Sequence, residues 1–102
     1  MKTIEDAILK IKENPNKYIG QKSLERLDLF IFGYMISQSD LDGTYSKWLS
    51  EFSEFIAKKY NMYYSIRYSQ IIRLFSASDE HAFDEFYELL DEFYREKSEG
   101  NL

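Results

Sequence analysis

Along most of the chain apolar residues recur at intervals of three and four, the period of a helix with one buried face. Ile4, Ala7, Ile8 and Ile11 keep this spacing, and Thr3 followed by Asp6 opens the segment as a loose capping box. Asn14-Pro15-Asn16 ends it, because the residue before a proline is pushed out of the helical region. After a short connector at Tyr18-Ile19-Gly20, Ser23 is placed to cap a second helix. Its buried stripe is Leu24, Leu27, Phe30, Ile31, Tyr34 and Met35. Gly33 falls inside that pattern and costs ~1 kcal/mol relative to alanine. A glycine so placed predicts either a backbone bend or a neighbouring helix at close range, and with Tyr34 it is expected to set a close crossing.

Residues 37–44, with Asp40, Asp42 and Gly43, read as a loop. A third helix is expected from Ser46 to Tyr60, with Trp48, Phe52, Phe55, Ile56 and Tyr60 on one face and Asn61 as its breaker. Between Met62 and Phe75 a strand-like alternation at Tyr63–Ser69 competes with helical spacing at Tyr64, Tyr68, Ile71, Ile72 and Phe75. The helical reading covers more residues and is preferred. The last helix is the plainest. Ser78 caps it, Asp79 and Glu80 suit the positive end of its dipole, and Gly100 ends it. Ala82, Phe83, Phe86, Leu89, Leu90, Phe93 and Tyr94 form its apolar face. The expectation is an all-α, single-domain bundle of about five helices spanning residues 1–102, with an aromatic-rich core.

Composition narrows this further. Aromatic residues make up 18% of the chain, which excludes disorder. The absence of cysteine removes disulfides, thiolate zinc sites and a Cys nucleophile, and suits a reducing compartment. The amino terminus carries acids where a signal peptide would be apolar, and no apolar run reaches the ~20 residues that span a bilayer. A cytoplasmic protein is expected, with no membrane partner.

The charge is unevenly spread. Residues 79–99 carry −7, whereas residues 1–78 carry +2, so one helix holds the whole negative excess of a chain with net charge −5. Asp84, Glu88, Asp91 and Arg95 follow one another at four, three and four, along a ridge away from the apolar face, with Tyr87 beside it. A solvated face for solubility explains such a ridge equally well as a surface matched to a basic partner. Nucleic acid is disfavoured as a partner, since phosphate needs a basic stripe.

Catalytic chemistry finds little support. His81 stands alone in the first turn of the last helix, a place for a surface or capping residue. Asp40-Leu41-Asp42-Gly43 begins like a calcium loop, but Leu49 stands where the bidentate carboxylate belongs. With eighteen acids, carboxylate pairs arise by chance. A non-catalytic binding protein without cofactor or metal is expected.

The stretch Pro15 to Tyr34 has the skeleton P-x-x-Y-I-G-x-x-S-L-x-x-L-x-x-F-x-x-G-Y. It resembles small bacterial immunity proteins encoded beside polymorphic toxins, including those of contact-dependent growth inhibition systems. Trp48, Phe55-Ile56 with Tyr60, and Ala82-Phe83 with Phe86 at the start of an acidic terminal helix are similar too. The same Pro-x-x-Tyr-Ile-Gly piece is similar to type II topoisomerase ATPase domains, but their glycine-rich nucleotide motifs are missing.

The immunity resemblance implies tight binding to a cognate secreted toxin domain, a nuclease with an RNase ahead of a DNase, whose basic cleft the acidic helix would occupy. On that reading Asp84, Glu85, Tyr87, Glu88, Asp91 and Glu92 form the contact, with Tyr87 as aromatic anchor and Asp40 and Asp42 as second choices. A monomer is favoured. The alternative is a helical adaptor or regulatory protein acting through homodimerisation.

Overall fold

The computed structural model describes residues 3–38, 44–62 and 66–100, and their ordered elements are helices: α1 (Ile4–Glu13), α2 (Pro15–Ile19), α3 (Leu24–Gln38), α4 (Thr44–Lys59), α5 (Tyr68–Leu74) and α6 (Asp79–Ser98). The all-α bundle expected from the sequence is observed, with one short helix more than the spacing suggested.

That extra helix comes from Pro15. Asn14 leaves the helical region at φ −148°, ψ 72°, which ends α1 as expected. The proline then takes the first position of α2, where its fixed φ is already helical and its missing N–H has no role. The residue that stops one helix starts the next, so the connector is a single helical turn. Gly20 closes it at φ +89°, and the Arg26 guanidinium fills the space a side chain would need there while donating to the Ile19 carbonyl at 2.9 Å. Tyr18 stays exposed beside Lys17, and Ile19 is the residue of the turn that packs on the core.

The caps read from sequence form as side-chain bonds. Thr3 Oγ1 accepts from Asp6 N at 3.1 Å, and Ser78 Oγ from His81 N at 3.0 Å. Ser23 Oγ accepts from Arg26 N at 3.1 Å and donates to the Asp79 carboxylate, whose other oxygen accepts from Glu25 N at 3.1 Å. Asp79, in the first turn of α6, thus also serves the amino terminus of α3 and joins the two helix starts. Asn61 ends α4 at φ +54°, with the paired Met62 N to Ala57 O (2.8 Å) and Asn61 N to Lys58 O (3.2 Å) bonds of a Schellman motif.

Among the described residues of the Met62–Phe75 segment, the helical part is α5. α5 begins at Tyr68, while Tyr63, Tyr64 and Ser65 lie outside the described residues. Its start is fixed by Asp28 of α3, which accepts from Arg67 Nη2 (2.6 Å), Tyr68 OH (2.8 Å) and Ser69 Oγ (3.0 Å).

Phe52 of α4 sits at the centre of the core. Its ring lies 5.8 Å from Trp48, 5.7 Å from Tyr68, 5.5 Å from Phe86 and 5.4 Å from Phe93, so α4, α5 and α6 meet through one aromatic cluster. Trp48 Nε1 donates to Tyr94 OH at 2.9 Å, which satisfies the indole at the cluster's edge. Leu24, Leu27 and Ile31 of α3 are buried as expected, with Phe30, Tyr34 and Met35 at the margin. Gly33 corrects an expectation. It faces open space, where an added Cβ would meet nothing within 4 Å, and so among the described residues no helix crosses there. Among the described residues no helix is long and apolar enough to cross a membrane.

Candidate functional site

α6 is the longest helix, twenty residues held on its inner side by Ala82, Phe83, Phe86, Leu89, Leu90 and Phe93. The same 3.6-residue period that buries these side chains turns Asp84, Glu88, Asp91 and Arg95 outward, and all four are exposed. Asp84, Glu88 and Asp91 line one wall of a groove of about 540 Å³, whose opposite wall carries Lys12 of α1, Pro15 of α2 and Lys22. The ridge expected from the sequence therefore exists as a surface, and it borders a concavity.

Its charge is partly engaged within the molecule. Lys22 Nζ lies 2.8 Å from Asp84 Oδ1 and 2.9 Å from Oδ2, and this bond holds the ammonium above its ordinary pKa. Lys59 Nζ reaches both oxygens of Glu92, at 2.7 and 2.9 Å, with the same upward effect on the lysine. Glu85 lies 3.4 Å from His81 Nε2, an ion pair only when the imidazole is protonated. His81 Nδ1 accepts from Ala77 N at 3.0 Å, so the lone histidine closes the turn before α6. Glu92 and Glu85 are thereby drawn away from the ridge. Asp84 remains half-exposed, and Glu88 and Asp91 have no ion-pair partner among the described residues. These last three are the ridge carboxylates that stay open to an external cation.

Tyr87 is a correction. It is 4% exposed, its ring packs edge-on against Phe83 and Phe86 at 5.1 Å, and its hydroxyl donates to the Ile8 carbonyl at 2.7 Å. α1 lies over this flank of α6 and widens the buried arc beyond the stripe that spacing alone suggests. Tyr87 is thus a strut between α6 and α1, reaching the groove only at its floor. Burial holds its phenol far above the usual tyrosine range. Asp40 and Asp42 lie outside the described residues.

Against known protein families, curated proteins and solved structures, the chain matches none.

Two arrangements were not visible in the sequence. Asp28 binds three donors that lie 39 to 41 residues away, and no local pattern announces such a hub. The outer side of α3 is the other, and there a signal existed in the i, i+3, i+7 spacing of Leu29, Phe32 and Ile36. Among the described residues no group of three His, Asp or Glu side chains could hold a metal ion.

Proposed function

We propose that this chain is a binding protein of the immunity type, which neutralises a cognate secreted toxin domain by presenting the outer ridge of α6 to a basic cleft, as a nuclease would offer (an RNase ahead of a DNase). The observation that carries this reading is the rigid acidic wall formed by Asp84, Glu88 and Asp91 beside the groove of α1 and α2. α6 is fixed by buried aromatic contacts along its length and by the Tyr87–Ile8 bond, so the three carboxylates are held before a partner arrives. Preorganisation of this kind lowers the entropy lost on association. Complementary charge raises association rates from about 10⁵–10⁶ toward 10⁸–10⁹ M⁻¹s⁻¹ at low salt. A toxin domain as the partner is suggested by the resemblance of the Pro15–Tyr34 skeleton to immunity proteins. In the structure that stretch builds the α2 turn and α3, including Lys22, which holds Asp84 in place.

The test is protection in cells. If the reading frame upstream of this one ends in a secreted toxin domain, that domain is expressed with the wild-type protein or with the triple variant Asp84→Asn/Glu88→Gln/Asp91→Asn. Wild type should restore growth, and the triple variant, with unchanged helical circular dichroism, should protect poorly. Equal protection by the triple variant removes the acidic ridge as the contact.

A further inference from the structure

We infer that the outer face of α3 is a self-association surface, on which a second copy of this chain packs α3 against α3. Leu29, Phe32 and Ile36 lie along one side of the helix and are 65%, 52% and 63% exposed. They stand opposite Leu27 and Ile31, which are buried. Residues 29–38 contain no charged side chain, so ten consecutive residues of a surface helix offer nothing for an ionic partner. Single exposed apolar residues are ordinary, but an aligned set on one helix marks an interaction site.

Gly33 supplies the second observation. It lies within α3 and is absent from the positive-φ glycines, so its backbone could carry any side chain. Among the described residues nothing approaches it, since a Cβ there would have no neighbour within 4 Å. A residue that weakens its helix and admits no intramolecular neighbour is accounted for by a helix arriving from outside, which the missing side chain lets come close.

Area and charge favour a second copy as that helix. With half to two-thirds of each residue exposed, the three leave on the order of 350 Å² per molecule, so two facing copies bring together about 700 Å² of apolar surface. Homodimer interfaces are roughly 65% apolar, so a pairing that covers this surface buries about 1,100 Å² in total, past the ~1,000 Å² threshold of a biological interface and in the range of a weak dimer. An isologous pairing places the uncharged stretch of one copy on that of the other. α3 contacts α6 within the chain, and the side left free is the one away from that packing. The −7 of each acidic helix therefore lies on the outer side of such a dimer, where repulsion between copies is least.

The experiment is sedimentation equilibrium of the full chain between about 1 and 200 µM, at physiological salt. Wild type should pass from 12.3 kDa to twice that mass over this range. Phe32→Glu and Ile36→Lys, at exposed positions, should remain monomeric throughout with unchanged circular dichroism. Gly33→Ala separates a packing role from a folding one, since it should raise the melting temperature of dilute monomer while weakening self-association at least tenfold. Wild type that stays at 12.3 kDa at 200 µM overturns the inference and leaves the face to another partner. A dimer that persists in Phe32→Glu and Ile36→Lys overturns it equally, because association then uses a different surface.

Discussion

Replacing Asp28 by alanine tests how the bundle holds α5, a helix of seven residues. Asp28 is 14% exposed at its side chain and accepts from three donors at the start of α5. The Tyr68 hydroxyl is the decisive one. Tyr68 is 3% exposed and buried beside Phe52 and Phe86, so without Asp28 its O–H has no acceptor, a loss of about 1–3 kcal/mol. The Arg67 pair is half-exposed and adds roughly 0–1 kcal/mol. A carboxylate near the first turn of α5 adds about 0.3–1 kcal/mol through the helix dipole. Together Asp28→Ala should destabilise the protein by about 3 kcal/mol, read as a lower urea midpoint at unchanged slope. For a chain of this size that is a melting temperature lower by roughly 10–20 °C. The mechanism is isolated by Tyr68→Phe. In that background no hydroxyl is left stranded, and Asp28→Ala should cost at least ~1 kcal/mol less than in wild type. Strict additivity of the two substitutions, or a loss below ~1 kcal/mol for Asp28→Ala alone, would refute the role given to this hub.

Two further outcomes follow from the placement of the tyrosines. Tyr87→Phe removes the bond to the Ile8 carbonyl and should lower stability by about 1 kcal/mol in urea denaturation, leaving partner binding intact; weakened binding at unchanged stability would return Tyr87 to the interface. Burial, with the nearby Glu5 carboxylate, pushes the Tyr94 phenol up to about 12, and burial raises Tyr87 further still. The folded protein thus keeps protons that the unfolded chain releases near pH 10. Its stability is complete below that pH and falls as pH rises through about 10–12. A urea midpoint equal at pH 8 and pH 11 would contradict this.

How far the sequence foretold these features depended on the range of the interactions. Thr3, Ser78 and Asn61 act within a few residues of themselves, and their caps form where the pattern put them. Pro15 was legible as a stop, but its second effect as a helix start required the chain beyond it to fold back through Gly20. The acidic ridge was read correctly as a face. The pairing of Asp84 with Lys22 and of Glu92 with Lys59, 62 and 33 residues distant, depends on tertiary packing that no spacing reveals. Tyr87 was misassigned because one helix's period says where its stripe is centred, while the width of burial is decided by how many neighbours cover it. On α3 the spacing places the core side correctly at Leu24, Leu27 and Ile31, but apolar residues continue onto its outer side, and Gly33 faces open space there instead of an internal crossing.

Association kinetics between this protein and a toxin domain that it protects against bear most directly on the proposal that the α6 ridge is the working surface. Wild type should bind with nanomolar affinity, and its association rate should fall at least tenfold as salt rises to about 0.5 M, where the screening length is only a few ångströms. Neutralising Asp84, Glu88 and Asp91 should slow association at low salt and remove most of that salt dependence. A triple variant that associates at the wild-type rate, with the wild-type dependence on salt, would contradict it.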